Sequence, residues 1–271
     1  MKIILKSILI LSLLSCGIKK IITSNYYGNP SKVIITIDNV KYKDSNRIEK
    51  QKLVNSIEYF NKLDQLIKTE LLNVKNDSIE RIIYYSYDKN GNKISKINSK
   101  KGENDFIEYF KYDKFGNLLQ HQKSTLITFY TYNTSGKVQK VKSHYPSGHF
   151  FEDVEYIYDD KKNKIQMTSF DSIGQIKSSS KWTYYTNGSV KEHQSYNSMG
   201  ELKWFTKSLK YDEMLNRTSW ENYNIINKDT ILKDRYSESR IYDSFKNIVL
   251  DTVFHNGLPI TIGTFKYIYN N

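Results

Sequence analysis

The sequence has a single cysteine and a low share of apolar residues, and both limit what it can be. Cys16 is the only cysteine among 271 residues, so no disulfide can form within the chain. Apolar residues make up only 38% of the chain, yet aromatic residues reach 14% and include 23 tyrosines. A disordered chain is poor in aromatic and β-branched residues. The chain is therefore predicted to fold, with a core built more from amphipathic rings than from aliphatic side chains.

The motifs of common enzyme classes are also missing. The sequence has no G-x-S-x-G elbow, no P-loop and no dinucleotide-binding fingerprint. No two of its five histidines have i, i+4 spacing, and no second cysteine is present to complete a zinc site. His144 and His149 flank a turn and are interpreted as solvated turn residues. We expect no catalytic residue, metal or cofactor, and a hydrolase would need an acid pair that folding brings together.

The first sixteen residues have the layout of an export signal. Lys2 precedes the apolar stretch of residues 3–14, which only Lys6 and two serines interrupt. A membrane-spanning helix needs roughly twenty apolar residues, so this stretch fits the shorter apolar region of a signal peptide. The following Leu13-Leu14-Ser15-Cys16 resembles the lipobox of bacterial lipoproteins. That resemblance implies cleavage before Cys16 and acylation of its thiol and its new amine.

This resemblance divides the chain and places it in a cell. Residues 1–15 are the predicted signal peptide, residues 16–31 the lipidated cysteine and a tether, and residues 32–271 a repeat domain. Several acyl chains would anchor the protein stably to a membrane of the bacterial cell envelope. The net charge of +12 with interleaved aromatics could suit nucleic acid. Export removes the chain from most nucleic acid, so acidic polysaccharides are the anions that we expect it to meet.

One motif recurs along residues 57–257. It consists of an aromatic residue, Asp or Asn, two or three turn residues, Gly or Asn, and then a strand. The clearest copies are Tyr87-Asp88-Lys89-Asn90-Gly91-Asn92 and Tyr112-Asp113-Lys114-Phe115-Gly116-Asn117. Further copies begin at Phe60, Tyr132 (with Gly136), Tyr158-Asp159, Phe170, Tyr185, Tyr196, Tyr211-Asp212 and Tyr242-Asp243. The main copies recur about every 26 residues with a second turn between them, for example at Tyr145. Each unit is therefore predicted to hold two strands.

The chemistry of the motif explains a chain reversal. Asp or Asn can accept a hydrogen bond from its own backbone two residues on. Gly then takes the positive φ that ends a hairpin loop of four or five residues. Lys162, Leu215 and Lys246 stand where Gly is expected. A left-handed conformation would cost each of them about 1 kcal/mol, so these three turns are expected to differ from the others.

Alternation of apolar residues predicts strands with one buried face. Ile83, Tyr85 and Tyr87 share one face of their segment. The same pairing at i and i+2 recurs at Phe110 and Tyr112, Tyr130 and Tyr132, Tyr156 and Tyr158, and Leu209 and Tyr211. We predict an all-β fold of repeated antiparallel hairpins in a long twisted sheet, either an open barrel or a solenoid. Residues 32–42 read as a strand, whereas the apolar spacing over residues 53–71 also fits a helix.

The motif resembles the YD repeat of bacterial Rhs and teneurin-like proteins. Residues 184–192 also resemble MORN-like repeats. Both resemblances imply hairpin sheets, and neither implies a particular activity. The large members of the YD family enclose a toxin domain, but this chain has no Asp-Pro autocleavage motif, so encapsulation of a toxin is not expected.

Three functions remain open from the sequence. The first is a lipid-anchored binding or scaffold protein of the envelope, whose partner is an unknown protein or glycan. The second is an immunity protein that neutralises a toxin, and the third is a polysaccharide-binding surface protein. Trp182, Trp204 and Trp220 lie in repeat phase and either stack on sugars or belong to the core.

Overall fold

The computed structural model describes residue 26, residues 28–44 and residues 47–269. The predicted signal peptide and Cys16 lie outside the described residues. Within them the chain forms eighteen strands joined by turns. The strands are β1 (Pro30–Asp44), β2 (Arg47–Phe60), β3 (Leu66–Leu72), β4 (Ile79–Tyr87), β5 (Lys93–Lys100), β6 (Phe106–Tyr112), β7 (Leu118–Gln122), β8 (Ile127–Tyr132), β9 (Val138–His144), β10 (Phe150–Tyr158), β11 (Lys164–Phe170), β12 (Ile176–Tyr184), β13 (Val190–Asn197), β14 (Leu202–Tyr211), β15 (Arg217–Ile226), β16 (Asp229–Tyr242), β17 (Ile248–His255) and β18 (Leu258–Tyr269).

Every strand pairs antiparallel with the next along the chain, and the first strand also pairs with the last. The β1–β18 pairing runs from Pro30 opposite Tyr269 to Asn39 opposite Thr261. The eighteen strands therefore form one closed up-and-down barrel. The predicted all-β sheet of repeated hairpins is confirmed, and its two edge strands pair with each other.

The segment that also fitted a helix is a hairpin. β2 ends at Phe60 and β3 begins at Leu66, with Ser56 opposite Leu71. The predicted strand over residues 32–42 forms most of β1. Leu53, Ile57 and Phe60, spaced four and three apart, all lie within β2. Leu53 is 46% exposed while Phe60 is buried, so this spacing does not mark one buried face.

The turns gather at two ends of the barrel. The even-numbered strands from β2 to β16 end at one of them, here called the YD end, where the motif copies from Phe60 to Tyr242 make their turns. The other end, here called the far end, holds the turns that begin after Phe170 and Tyr196. The unit of two strands and two turns is therefore confirmed, with its two turns at opposite ends.

The motif aspartate organises the turn as the sequence predicts. Asp88 Oδ1 accepts hydrogen bonds from the backbone N–H of Asn90 at 2.9 Å and of Asn92 at 2.8 Å. The Asn92 side chain in turn donates to Asp88 Oδ2 at 3.0 Å, and this bond holds the pKa of the carboxyl below its usual value. The same two bonds, donated by the backbone and the side chain of the asparagine four positions after the aspartate, recur at Asp113, Asp159, Asp212 and Asp243.

The three turns without glycine do not differ from the others, contrary to expectation. Lys162, Leu215 and Lys246 have φ of 66°, 61° and 68°. Gly91 and Gly116, at the equivalent position, each have φ of 82°. The aspartate bonds and the strand pairing on both sides of the turn hold the left-handed conformation despite its cost.

Two assignments within the repeat are corrected. Tyr184, not Tyr185, ends β12 and occupies the tyrosine position, while Tyr185 stands where other copies have aspartate. Leu209 was paired with Tyr211 on the buried face, but it is 41% exposed. A bulge between Ser208 and Lys210 turns Ser208 inward instead, at 1% exposure. Bulges shift the alternation by one residue, which the period-2 pattern does not reveal.

One face of the sheet is consistently less exposed and lines the interior. Tyr84 and Tyr109 on the other face are 44% and 50% exposed, while their neighbours Tyr85 and Phe110 are half-buried. Burial is the main cause of the raised pKa of Tyr85, whereas the pKa of Tyr223 on the outer face rises mainly through its hydrogen bond to Glu221. Side chains converge on the concave side of a closed sheet, so the less exposed face is the interior face.

The buried apolar cluster lies where the barrel closes. Val33, Ile35 and Ile37 of β1 are 0%, 7% and 9% exposed, and they pack with Phe60, Leu66, Phe265 and Tyr267. Each such side chain stabilises the fold by about 1.5–3 kcal/mol when fully buried. Burial at this seam therefore favours pairing of the first strand with the last.

The interior is wide. Eighteen strands about 4.8 Å apart have a circumference of about 86 Å, so a circular section would be at least about 27 Å across. The ring pairs and ion pairs of the described residues join groups on the same strand or on strands close together along the wall. The interior is therefore a polar and aromatic surface rather than a core packed from opposite sides.

Candidate functional site

A belt of tyrosines circles the interior at the YD end. Each hydroxyl donates to the carbonyl oxygen of the residue that opens the preceding strand. Tyr87 bonds to Leu66 at 2.8 Å, Tyr112 to Lys93 at 2.8 Å and Tyr132 to Leu118 at 2.7 Å. The series continues from Tyr158 to Val138, Tyr184 to Lys164 and Tyr211 to Val190. These bonds fix the level and spacing of the residues that open β3, β5, β7, β9, β11 and β13, whereas Tyr242 of β16 donates to Asp212 Oδ2 and not to Arg217, which opens β15.

Three of those opening residues are cations. Lys93 Nζ lies 4.6 Å from the ring centre of Phe110, Lys164 Nζ lies 4.0 Å from Trp182, and the Arg217 guanidinium lies 4.3 Å from Trp220. Burial lowers the pKa of all three side chains. Among the residues that the structure describes, none of the three forms an ion pair with a carboxylate. These charges face the interior over rings instead of neutralising partners.

The tryptophans cluster beside two of these cations. Trp182 and His193 stack with their ring centres 4.5 Å apart and an angle of 7° between their planes. Trp204 meets His193 edge-on, with ring centres 5.0 Å apart and an angle of 85°. Burial and the nearby charges of Lys164 and Arg217 lower the pKa of His193 to about 4, so the ring is neutral at pH 7.

A second stack continues across the following strands. Trp220 stacks on Tyr236 with ring centres 5.3 Å apart, and Tyr236 stacks on His255 at 4.8 Å. His255 Nε2 lies 2.8 Å from Asp234 Oδ1. We name Lys164, Trp182, His193, Trp204, Arg217 and Trp220 together the tryptophan wall. Cross-strand ring pairs of this kind contribute roughly 0.2–1 kcal/mol each, so part of the wall also stabilises the sheet.

Other interior charges are neutralised locally. Glu108 accepts from His121 at 2.7 Å and pairs with Lys96 at 2.8 Å, and these contacts, His121 first, lower its pKa to about 2. Arg240 pairs with Glu238 and lies 3.7 Å from both Asp212 and Asp251. These groups form satisfied networks, unlike the cations of the tryptophan wall.

The outer face also carries ion pairs. Lys140 pairs with Glu155 at 2.6 Å and Lys142 pairs with Asp153 at 3.1 Å across β9 and β10. On β15 and β16, Glu221 pairs with Arg235 at 2.7 Å. Ion pairs and ring contacts thus occur on both faces, since Phe205 stacks on Tyr223 on the outer face and Lys181 lies 5.2 Å over the Tyr196 ring. Burial sets Lys93, Lys164 and Arg217 apart from such an exposed cation.

The candidate metal and acid groups of the sequence stay apart in the structure. His144 Nδ1 contacts the carbonyl oxygen of Tyr145 at 2.9 Å, and His149 Nδ1 contacts Ser147 Oγ at 2.9 Å. Glu152 and Asp153 occupy successive positions of β10 and so lie on opposite faces. In the described part of the chain no group of three histidine or acidic side chains could hold a metal ion. Those residues also contain no helix long and apolar enough to cross a membrane.

Sequence reasoning identified the three tryptophans but missed the cations beside them. Lys93, Lys164 and Arg217 each stand six residues after a motif tyrosine, at Tyr87, Tyr158 and Tyr211. Other copies have Leu118 or Val138 at that position. A charged residue where the repeat otherwise places an aliphatic one was therefore the available signal.

Comparisons with known proteins give no family by sequence. No family model matches the chain, and no curated protein matches it. Among solved structures, the chain is similar to part of TcdB2-TccC3-Cdc42, with 16% identity and a TM-score of 0.36 over 80% of this chain and 10% of that one. The Photorhabdus luminescens Tc holotoxin pore, which carries the TccC3 mutation D651A, gives 15% identity and a TM-score of 0.31 over 78% of this chain and 11% of that one.

A porin-like protein from Bacteroides uniformis is similar over nearly its whole length. The identity is 10% and the TM-score 0.46, over 89% of this chain and 97% of that one. The chain thus spans about a tenth of the toxin chains and almost all of the porin-like protein. Identities and TM-scores this low support no statement about activity or partners.

Proposed function

We propose that this chain is a lipid-anchored protein of the bacterial cell envelope, built of YD-like repeats, that binds a ligand against the interior wall of its barrel. The observation that carries the proposal is the set of unpaired cations Lys93, Lys164 and Arg217 on the interior face. Burying a charge without a partner is costly. Retaining three such charges at one level of the barrel favours a surface that awaits an anionic partner.

The tether supports a defined placement on the membrane. The Tyr26 ring packs edge-on against Phe60 and Tyr267 at the YD end, and its hydroxyl donates to Glu58 at 3.1 Å. Ten residues separate Cys16 from Tyr26, and such a segment reaches at most about 35 Å. A lipid on Cys16 would therefore keep the YD end within about 35 Å of the membrane.

The proposal favours binding over catalysis. The interior acid Glu108 is held by His121 and Lys96, whereas Asp212, Glu238 and Asp251 gather around one cation, Arg240. A hydrolase of envelope polymers would need two carboxylates that face its substrate, and these three acids instead share the Arg240 guanidinium as their counter-ion. Unpaired cations and rings are instead the groups that hold an anion in place.

The anchoring is tested by labelling cells with a palmitate analogue. Full-length protein should incorporate the label and fractionate with membranes, whereas the Cys16→Ser variant should do neither. Ser15→Thr, which keeps a small residue before the cleavage site, is the matched control and should retain the label. A Cys16→Ser variant that is still labelled would contradict the lipid anchor.

The binding role is tested by cross-linking the tagged, full-length protein in its own cells and identifying what is trapped by mass spectrometry. We expect an envelope component whose yield falls in a Lys164→Met, Arg217→Met double variant. The single-charge variant Lys181→Met, on the outer face of β12, is the control and should trap the component as well as the parent does. Equal trapping by all three proteins would place the partner elsewhere.

A further inference from the structure

We infer that the tryptophan wall is a binding site for an acidic saccharide, with Trp204 as the ring that meets the sugar and with Lys164 and Arg217 as the groups that meet its acid. This inference rests on the proposed binding role, because it names the ligand class of the same interior wall. It also assigns the two components of recognition to separate residues, so each can be tested alone.

Trp204 is the ring that is available. Trp182 is covered by Lys164 on one side and His193 on the other, and Trp220 is covered by Arg217 and Tyr236. Trp204 makes only an edge contact with His193 and is 38% exposed. An exposed indole on a concave wall offers an apolar platform of the size of one pyranose ring. A strand of nucleic acid would instead use several free ring faces for successive bases.

The cations of this wall are not neutralised, and they lie apart from Trp204. Trp182 and His193 lie between Lys164 and Trp204, and Arg217 pairs with Tyr211, seven positions along β14 from Trp204. Neither of the two cations forms an ion pair with a described carboxylate. His193 itself is neutral at pH 7, and its Nε2 is buried without a described hydrogen-bond partner. An acidic oligosaccharide that places one sugar on Trp204 and the carboxylates of other sugars at the cations complements this arrangement, whereas a neutral oligosaccharide leaves both cations unpaired.

The repeat keeps the cations and rings in register. The Tyr184 hydroxyl holds the Lys164 carbonyl at 2.6 Å, and Arg240 Nη1 contacts the Arg217 carbonyl at 3.4 Å. These bonds fix backbone atoms and leave both cationic side chains directed over their rings. The wall is therefore preorganised, which lowers the entropic cost of binding.

The test uses the intrinsic fluorescence of the full-length protein, because all three tryptophans of the chain belong to the wall. Tetragalacturonate is the acidic probe, maltotetraose the neutral probe, and inorganic phosphate and oligo-dT are competitors. We expect saturable quenching by tetragalacturonate at low salt, with affinity at least ten-fold higher than for maltotetraose, and weakening as salt rises.

Variants assign the two roles. Trp204→Ala should weaken tetragalacturonate binding at least ten-fold, and so should Arg217→Met, while Arg217→Lys should restore most of the affinity. Lys181→Met removes one positive charge from the outer face of β12 and should bind as the parent does. Unchanged circular dichroism of each variant shows that the barrel is intact.

Other results would overturn the inference in distinguishable ways. Equal affinity for maltotetraose, competition by phosphate at equal concentration, or tighter binding of oligo-dT through the same residues each excludes an acidic-saccharide site. If tetragalacturonate does not bind but cross-linking in cells still traps a component that depends on Lys164 and Arg217, the ligand class is wrong and the proposed binding role stands. If both experiments fail, the proposed binding role fails too.

Discussion

Single residues in this barrel carry strain that the repeat imposes on them. Leu215 has φ of 61° at a turn position where the copies at Gly91 and Gly116 use glycine, and its side chain is 53% exposed. The backbone bond from Leu215 N to Asp212 O, at 3.0 Å, matches that from Gly116 N to Asp113 O at 3.1 Å. The aspartate and the flanking strands therefore set the turn geometry, and the residue three positions after the aspartate, here Leu215, adopts a left-handed conformation as a result.

Leu215→Gly is expected to stabilise the protein by about 0.5–1 kcal/mol. The substitution relieves about 1–2 kcal/mol of left-handed strain in the folded state. Part of this gain is offset because glycine raises the conformational entropy of the unfolded chain. Urea denaturation followed by circular dichroism measures the difference. Gly136→Ala is the matched opposite, because Gly136 has φ of 74° with open space around it. It should cost about 1 kcal/mol, and a neutral or stabilising result there would contradict the account of the turn.

Interior tyrosines link stability to alkaline pH. Burial raises the pKa of Tyr87, Tyr132 and Tyr158 to about 12, against 10.0 in an unfolded chain. Above pH 10 the unfolded state loses these protons while the folded state keeps them. The stability from the neutral hydroxyls is therefore complete below pH 10 and is lost as pH rises towards 12.

We expect the free energy of unfolding to fall between pH 10 and pH 12, with a fraction of the tyrosine absorbance at 295 nm rising only as the β-sheet signal is lost. A Tyr132→Phe, Tyr158→Phe variant should show a shallower fall in the same window, because two of the linked groups are gone. Titration of all tyrosines near pH 10 with the sheet intact would show that burial does not hold their protons.

At the scale of elements, the hairpin unit is joined to the next by a hydroxyl as well as by the strand ladder. The tyrosines that end β4, β6, β8, β10, β12 and β14 reach back to the opening carbonyl of the strand before, as Tyr132 does to Leu118. The same bond sets the level of Lys93 and Lys164, while Arg240 contacts the Arg217 carbonyl instead. Strand pairing alone leaves a bulge at this point, so the hydroxyl secures the place where the ladder is irregular.

Tyr132→Phe is expected to destabilise the protein by about 1 kcal/mol, because it removes one hydrogen bond and keeps the ring. Thermal or urea denaturation at pH 7 measures this loss. Tyr109→Phe is the control, since Tyr109 is 50% exposed on the outer face of a neighbouring strand, and its stability should match the parent. Equal losses of stability in Tyr132→Phe and Tyr109→Phe would contradict a stabilising role for the tyrosine hydroxyls.

At the scale of the whole molecule, closure depends on contacts between the two ends of the chain. Thr36 of β1 lies directly opposite Thr264 of β18 in the seam. The interior side of the same seam holds the buried cluster of Val33, Ile35 and Ile37. A contact over so many residues is slow to find, and apolar burial compensates the entropy of closing the chain there.

A Thr36→Cys, Thr264→Cys variant in a Cys16→Ser background is expected to form a disulfide spontaneously. Opposite residues of an antiparallel pair have Cβ atoms about 4.5–5.5 Å apart, close to what a disulfide needs. The loop would stabilise the barrel by up to about 5 kcal/mol in the chain-entropy model. Gel mobility without reductant shows the bond.

Thr36→Cys with Thr131→Cys, on the outer face of β8, is the control and should form no disulfide. A Thr36–Thr264 pair that stays reduced would mean an open sheet in solution.

The sequence by itself determined the strands, the turns and the spacing of the repeat. Asp88 with Asn92, and the alternation around Tyr85, are local features, and local hydrogen bonds and periodicity predict them without knowledge of the rest. The lipobox at Cys16 is likewise a sequence feature, and it stays a prediction. The helix alternative for residues 53–71 was excluded only when β2 and β3 were seen to pair.

Only the tertiary structure decided closure, the inward turn of Ser208 in place of Leu209, and the meeting of Lys164, Trp182, His193, Trp204 and Arg217. Each depends on contacts between residues far apart in the chain or on a bulge that shifts the alternation. Periodicity reports which residues share a face, but it does not report which strands become neighbours or which face becomes concave. Those depend on how many units the chain contains and on whether its first and last strands can bury apolar side chains together.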